Sequence, residues 1–327
     1  MKSHPAVRRL LVAVSGLALA GAGVLAPTAP VEAATSGAGP VVGSAPVATV
    51  VSTREHQAKK KKKRKRSARH SEWAAAGQAT ITPGVMMYTA GAQCTANFVF
   101  TDAVGNVFVG YAAHCAGKGE ATDTNGCQVS SQPLGTRVDF VSGGSVISGG
   151  TALGRGTLVY SSWLAMNEAG TTDGPTCEYN DFALVKVRAR DVDKVNPSVP
   201  FYGGPTGIDK NGTSLGDRVY SYGNSSLRAG LDLLSPKLGI ALGDAASDDG
   251  WNHQVYTLTP GIPGDSGSGF MNRAGKAVGT LSTVAIAPLP LANGTGDLLR
   301  ELTFAKASSV IKGLRLAKGT EAFSSAL

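Results

Sequence analysis

The chain has 327 residues, 43 of them glycine, and a formal net charge of +8. The positive charge is not spread evenly: residues 34–75 carry ten basic and two acidic side chains, whereas residues 76–327 carry 18 basic and 20 acidic ones. The part from residue 76 onward therefore lacks the basic surface that specific nucleic-acid binding requires, and its length suits one two-lobed domain with a sizeable core.

The first 33 residues have the pattern of a secretory signal peptide. Arg8 and Arg9 precede an apolar run over residues 10–25, and small residues follow as far as Ala33-Ala34. The run is short and rich in Gly and Ala, whereas a membrane-spanning helix needs about 20 strongly apolar residues, which disfavours a membrane anchor. We therefore predict a secreted, extracellular protein that is cleaved near Ala33/Ala34. The arginine pair hints at twin-arginine export and leaves the general secretory route open.

Residues 34–77 are predicted to form a disordered linker or propeptide, because small and polar residues dominate without a sustained period. Within this segment, residues 59–66 are eight adjacent Lys and Arg residues, a polybasic tract that cannot be buried. Two hypotheses stay open for the tract. It attracts anionic cell-surface polymers or lipid surfaces, or it is a solvated spacer that proteases can cleave.

From about Thr80 the pattern changes to short runs of β-branched and aromatic residues, separated by Gly, Asn and Asp. Many short strands with frequent turn signals favour an all-β barrel or sandwich. Near the end of the chain, apolar residues at roughly helical spacing predict one amphipathic helix over residues 303–317 that packs on the sheet. These residues are Phe304, Val310, Ile311 and Leu314.

Four cysteines in an exported chain predict two disulfide bonds. The sequence has no Cys/His spacing typical of a metal site, no phosphate-binding glycine loop and no convincing internal repeat. The chemistry must therefore be sought in other side chains.

Three short segments carry the residue types that nucleophilic catalysis needs. His114 follows two alanines in residues 110–115, Asp181, within residues 179–185, comes directly before an apolar run, and Ser266 lies in a glycine-rich turn. A serine hydroxyl is a weak nucleophile and needs a base, a group that orients the base, and N–H donors for the developing oxyanion. Each segment alone is also compatible with an ordinary structural role. The combination favours catalysis.

The three segments resemble the motifs of trypsin/chymotrypsin-like serine endopeptidases, in particular the bacterial secreted group. Ala-Ala-His-Cys, Asp-Phe-Ala-Leu-Val and Gly-Asp-Ser-Gly-Ser-Gly match the family's histidine, aspartate and serine motifs, in that order along the chain. Tyr111 departs from the family, which has Thr or Ser at this position. The resemblance covers roughly residues 78–318, and only the three motifs are specific.

The resemblance implies two packed six-stranded antiparallel β-barrels, over about residues 78–198 and 199–302, with the C-terminal helix after them. It also implies peptide hydrolysis through an acyl-enzyme: Ser266 attacks, His114 is the base, Asp181 orients it, and the N–H groups of Gly264 and Ser266 form the oxyanion hole. The expected partners are polypeptide substrates, with no metal or organic cofactor, and the protein is expected to be a monomer. The alternatives are a catalytically inactive binding module and an adhesion protein acting through the polybasic tract.

The resemblance further implies a Cys94–Cys115 bridge beside the histidine, and Cys127 and Cys177 would then pair. Animal members are activated by cleavage before Ile-Val-Gly-Gly, and the new amine pairs with the aspartate beside the nucleophile. This sequence has no such segment. We therefore expect an internal group to hold Asp265.

The implied substrate pocket departs from the family in two places. Pro260 occupies the floor position, where it cannot pair with a basic substrate side chain. Ser282-Thr283-Val284 replaces the family's Ser-Trp-Gly, whose backbone pairs with substrate as an added strand, and Val284 is expected to narrow the pocket toward small apolar side chains. An alternative is that His253 or Thr257 recognises an acidic side chain, as in glutamyl endopeptidases.

Overall fold

The computed structural model describes residues 72–119, 124–145, 147–284 and 292–325. The predicted signal peptide, the linker as far as residue 71 and the polybasic tract lie outside the described residues, so these interpretations stay predictions. The predicted disordered linker was wrong for residues 72–77, because Trp73 packs on the core of the first barrel and the Ala74 N–H donates to the Val195 carbonyl at 3.0 Å. Within the described ranges, no helix combines the length and apolar character needed to cross a membrane.

The first barrel is antiparallel throughout. Its strands are β1 (Met86–Thr89), β2 (Ala92–Thr95), β3 (Val99–Thr101), β4 (Val107–Tyr111), β5 (Arg137–Ser142), β6 (Thr151–Ser161) and β7 (Ala183–Val187). The pairing order is β2–β1–β5–β6–β7–β4–β3. Because β2 and β3 are consecutive parts of one extended segment, pairing on both of its ends closes a barrel of six strands.

The second barrel closes through direct strand pairing. Its strands are β8 (Gly207–Ile208), β9 (Arg218–Tyr222), β10 (Pro236–Gly243), β11 (Asn252–Thr257), β12 (Gly269–Asn272), β13 (Lys276–Val284) and β14 (Asn293–Asp297). The order is β12–β9–β10–β11–β14–β13, and β13 pairs back to β12. The short β8 runs parallel to β13 outside this ring. The predicted chymotrypsin-like fold, with two six-stranded barrels, is therefore the fold of this chain.

Separate apolar clusters fill the molecule. One fills the first barrel, and a smaller one in the second barrel comprises Val219, Ala241, Val255, Phe270 and Leu281. A third cluster joins the two halves, because it contains Phe98 and Phe182 from the first barrel segments and Tyr220 and Met271 from the second. Apolar burial of this kind stabilises a fixed contact between the barrels, and the candidate site lies along that contact.

The predicted C-terminal helix is present, but its predicted bounds were wrong. Two helices precede it in the described residues, α1 (Ser162–Ala169) and α2 (Gly174–Tyr179). The predicted helix, α3, spans Leu298–Ser308 rather than residues 303–317. It begins early because the Asp297 carboxylate accepts the Arg300 N–H at 2.7 Å and caps the first turn. Val310, one of the residues of the predicted apolar face, is 95% exposed. Residues Arg315–Leu316 instead form β15, which pairs with β3.

Both predicted disulfides are confirmed. Cys94 is bonded to Cys115, and Cys127 is bonded to Cys177 across a sequence separation of 50. The second bridge ties a segment that follows His114 to α2 (Gly174–Tyr179), which ends just before Asp181. Both bridges therefore constrain the half of the molecule that holds His114 and Asp181.

We expect the double substitution Cys127→Ala/Cys177→Ala to lower the free energy of unfolding by about 2–4 kcal/mol, because the bridge closes a long loop in the unfolded chain. Urea unfolding followed by circular dichroism measures this loss. An unfolding midpoint equal to that of the parent protein would contradict the assignment of a stabilising role to this bridge.

Candidate active site

The centre of the site is a pair formed by His114 and Asp181. Asp181 lies just before β7, and it is only 2% exposed. Its Oδ1 accepts the backbone N–H of His114 at 2.8 Å, and its Oδ2 accepts from His114 Nδ1 at 2.6 Å. The Ser282 hydroxyl donates to Oδ2 as well, at 2.6 Å. One buried carboxylate thus fixes both the backbone and the ring of the histidine.

The two partners shift each other's protonation in opposite directions. Burial alone lowers the pKa of His114, but the charge of Asp181 and its hydrogen bond outweigh burial and raise that pKa above the ordinary 6.5. Burial raises the pKa of Asp181, but His114, Ser282 and the hydrogen bonds they donate outweigh it and lower the pKa of this carboxyl. The arrangement therefore favours an imidazolium beside an ionised aspartate.

The Cys94–Cys115 bridge also holds the histidine segment, because Cys115 directly follows His114. The two sulfurs and a His114 ring nitrogen lie within 4.8 Å of one another. His114 also lies in a 3₁₀ turn over Ala113–Ala116, whose end is closed by the Gly117 N–H donating to the His114 carbonyl at 2.8 Å. The ring of His114 remains 21% exposed in this turn.

The loop that carries Ser266 packs directly on the first barrel. The Thr95 N–H donates to the Ser266 carbonyl at 2.8 Å, and the Gly267 N–H donates to the Leu281 carbonyl at 2.7 Å. A Cβ on Gly267 would lie 2.5 Å from the Thr95 carbonyl oxygen and 2.8 Å from the Ala112 nitrogen, so only glycine fits here. Since Ala112 is two residues before His114, the structure brings the serine loop against the histidine segment.

The predicted oxyanion donors lie in a turn whose conformation favours glycine. Gly264 has φ of +95°, and its carbonyl accepts from Thr95 Oγ1 at 2.7 Å and from Gln93 Nε2 at 3.1 Å. Within the part of the chain that the structure describes, neither the Gly264 N–H nor the Ser266 N–H has a protein acceptor. Both donors are therefore free for an oxygen atom of a bound substrate.

Asp265, between these donors, is held by internal cations, which confirms the expectation from the sequence. Asp265 is 0% exposed. Its Oδ2 pairs with an Arg228 guanidinium nitrogen, and with Lys237 Nζ at 2.9 Å. The same oxygen accepts the Ile262 N–H at 3.1 Å. No new chain terminus is needed to neutralise this carboxylate.

The residues predicted to line the substrate pocket have other contacts as well. The Pro260 carbonyl accepts from Arg228 and from Lys237, each at 3.2 Å. The Ser282 hydroxyl is engaged by Asp181. The Thr283 carbonyl accepts from the Asn293 side-chain amide at 3.4 Å. Val284 lies in β13, but its side chain is outside the described residues, so the predicted narrowing of the pocket stays a prediction.

The structure does not support the alternative role of His253 and Thr257 in recognising an acidic substrate. His253 is 1% exposed, and its two ring nitrogens contact Asp244 and Asp297, each at 2.9 Å. Thr257 donates its hydroxyl to the Thr259 carbonyl at 2.9 Å. His253 therefore has no ring nitrogen left for a substrate carboxylate.

The sequence motifs gave no indication of a further acidic residue close to the site. Glu301, on α3, is fully buried and accepts from the Thr280 hydroxyl at 2.8 Å. Burial raises the pKa of Glu301 well above its usual range, and the charges of Asp181 and Asp297 raise it further despite the hydrogen bond from Thr280. The sequence could have indicated that Glu301 is buried, because Glu301 lies three residues after Leu298, on the apolar face of the helix.

Comparison with known proteins found only distant similarity. No protein-family model and no curated protein matches the chain. Among solved structures, Protease A of Thermobifida fusca is 17% identical over 74% of this chain and 100% of its own, with a TM-score of 0.44. A glutamic acid specific serine protease is 16% identical over 72% of this chain and 100% of its own, with a TM-score of 0.42. Cellulomonas bogoriensis chymotrypsin is 16% identical over 73% and 98%, with a TM-score of 0.41.

The contacts of His253 predict a specific pH dependence of stability. Burial alone would lower the pKa of His253, but its bonds to Asp297 and Asp244 and their charges raise it above 6.5 in the folded protein. The folded state therefore binds the proton more tightly than the unfolded state. The resulting stabilisation is complete below pH 6.5, and it is lost as the pH rises through the raised pKa.

We expect His253→Gln to lower the free energy of unfolding by about 3 kcal/mol in mildly acidic solution, and by less at alkaline pH. Urea unfolding of both proteins across this pH range measures the difference. If the difference in free energy of unfolding stays constant or grows as the pH rises, His253 is not a protonated imidazolium paired with Asp244 and Asp297.

Proposed function

We propose that the protein is a secreted serine endopeptidase that hydrolyses peptide bonds through an acyl-enzyme. The observation that carries the proposal is the two-point hold of Asp181 on His114, through Nδ1 and the backbone N–H. This hold leaves Nε2 as the ring atom available for proton transfer, which is the requirement for a general base beside a serine.

In the proposed reaction, Ser266 Oγ attacks the carbonyl carbon of the scissile bond while its proton passes to His114 Nε2. The carbonyl oxygen becomes negative and accepts from the N–H groups of Gly264 and Ser266. His114 then gives the proton to the leaving amine, and an acyl-enzyme ester remains. Water, deprotonated by His114, hydrolyses the ester and releases the second product, after which the proton returns to Ser266.

The surroundings of His114 support this sequence of steps. The imidazolium formed after the attack is stabilised by the ionised Asp181, which the Ser282 hydroxyl keeps in position. Asp181 is itself nearly inaccessible to water, so its charge acts on the ring with little screening. The same contacts fix the ring tautomer that places the free electron pair on Nε2.

Secretion belongs to the proposal as well. Two disulfide bonds are consistent with folding in an oxidising compartment. Cleavage near Ala33/Ala34 and binding of anionic surface polymers by the polybasic tract are inferred from the sequence alone. A binding module without activity is the alternative function, and the experiment below separates it from the enzyme.

We expect Ser266→Ala to abolish covalent labelling by a fluorophosphonate and to lower kcat for peptide hydrolysis by a factor on the order of 10⁶. Labelling is followed by mass spectrometry and hydrolysis with a quenched-fluorescence peptide library. Ser214→Ala, at an exposed serine, is the matched control and should label like the parent protein. Equal labelling of the Ser266→Ala variant, or no labelling of the parent, would reject the proposed enzyme.

The rate should also depend on the protonation of His114. Since the pKa of His114 is raised, kcat/KM should fall as the pH drops through a value above 6.5. Asp181→Asn removes the charge that raises this pKa, so the acid limb should move to lower pH, and kcat should fall by about 10⁴. A pH profile of the variant identical to that of the parent would contradict the assigned role of Asp181.

A further inference from the structure

We infer that Lys237 is a positioning residue that holds the segment 259–266 in the shape needed for catalysis. The inference rests on the proposed function, because this segment carries Ser266 and both proposed oxyanion donors. Lys237 itself contacts neither of these donors. It acts through Asp265 and through the backbone at the start of the segment.

All three protons of the Lys237 ammonium have acceptors. Nζ lies 2.9 Å from Asp265 Oδ2, 3.1 Å from the Thr259 carbonyl and 3.2 Å from the Pro260 carbonyl. An ammonium group has three N–H donors, so this set uses its full capacity. The acceptors lie at the two ends of the segment, so a single atom fixes its entry and its exit.

Lys237 is anchored in the frame of the second barrel. It lies in β10, which pairs with β9 on one side and β11 on the other. Its carbonyl accepts from the Tyr202 hydroxyl at 3.0 Å, and its side chain is 0% exposed. A Cβ on Gly223 would lie 2.6 Å from Lys237 Cε and 2.5 Å from Asp265 Oδ1, so the backbone of β9's end packs tightly on this pair.

The second cation, Arg228, is placed differently. It ends a 3₁₀ turn over Ser226–Arg228, between Leu227, which is 54% exposed, and Leu231, which is 60% exposed. This turn lies at the surface, whereas β10 is part of a closed ring of hydrogen-bonded strands. Arg228 contacts both Asp265 and the Pro260 carbonyl, but it does so from this surface turn. Lys237 connects the same two points to the rigid part of the fold.

Loss of the Lys237 charge would leave Asp265 with one cation. The two ends of the segment would then be joined by a guanidinium on a surface turn, through Pro260 and Asp265, and no longer by a side chain of β10. Asp265 sits between Gly264 and Ser266, so movement of its side chain turns both adjacent N–H groups. Because an oxyanion hole depends on donors that are already aimed, such movement should reduce the rate of the chemical step more than the binding of substrate.

The test compares Lys237→Met and Lys237→Gln with the parent protein, and uses Lys306→Met, at an exposed lysine of α3, as the matched control. The first readout is hydrogen exchange of the amides in residues 261–268 that have acceptors. These include the Gly261, Ile262 and Asp265 N–H groups. The second readout is kcat and KM for peptide hydrolysis, with the fluorophosphonate labelling rate.

We expect both Lys237 variants to exchange these amides at least about tenfold faster, while the amides of β9 and β11 keep the parent rate. We also expect kcat and the labelling rate to fall by at least about tenfold, with KM changed by less than about threefold. Lys306→Met should match the parent in every readout. Unchanged exchange in residues 261–268, or an equal loss of protection throughout the second barrel, would overturn the inference.

The exchange readout does not require activity. If the parent protein failed to label, the proposed enzyme would be rejected, and the exchange rates would still decide whether Lys237 holds the segment. If neither variant folded, exchange in the parent alone would decide. If the amides of residues 261–265 exchange at the same rate as those of β10, the two regions open together, which supports the link through Lys237. If the amides of residues 261–265 exchange at least about a hundredfold faster than those of β10, the link is overturned.

Discussion

The arrangement of the site depends on the buried carboxylate of Asp181, which is stable only with hydrogen-bond and charge partners. A charged group removed from water is stable only when it is paired and hydrogen-bonded, and Asp181 meets this condition with two atoms of His114 and the Ser282 hydroxyl. His114 and Asp181 come from the first barrel segments, and Ser282 comes from β13 of the second. Because Asp181 accepts hydrogen bonds from residues of both barrels, it also helps to fix the arrangement of the barrels that the proposed reaction needs. The apolar cluster between the barrels buries their contact, and the hydrogen bond between Asp181 and Ser282 fixes one polar point within it.

The sequence was sufficient for the parts of the site that local motifs encode. The segments around His114, Asp181 and Ser266 each have a specific pattern, and the disulfide pairing followed from the resemblance that they define. The residues that hold Asp265 were not predictable in this way. In β10, Lys237 is fully buried, whereas the apolar Ile240 of the same strand is 45% exposed. Local sequence gives no indication of this, because Lys237 is buried against Asp265, which is distant in the sequence.

The end of the chain shows a different limit of sequence patterns. The spacing of Phe304, Ile311 and Leu314 suggested a single helix, but only Phe304 packs on the core from α3, whereas Ile311 and Leu314 do so from the turn that follows the helix. Asp297 caps the beginning of α3, which ends at Ser308, and Gly313, with φ of +69°, lies in the turn that leads to β15. Apolar periodicity reports which side chains are buried. It does not report whether one continuous helix buries them, because a turn followed by a short strand can present an apolar residue at the same spacing.

The last residues of the chain also link the two halves. After α3, β15 adds to the edge of the first barrel at β3, and the Ala317 N–H donates to the Val99 carbonyl at 2.9 Å. The chain then returns to the start of the second barrel, where the Gly204 N–H donates to the Glu321 carbonyl at 3.0 Å. One continuous segment after α3 therefore contacts the edge of the first barrel and the start of the second. Loosening of this segment would uncover β3 and free the turn before β8 at the same time, so we expect the two halves of the molecule to unfold together.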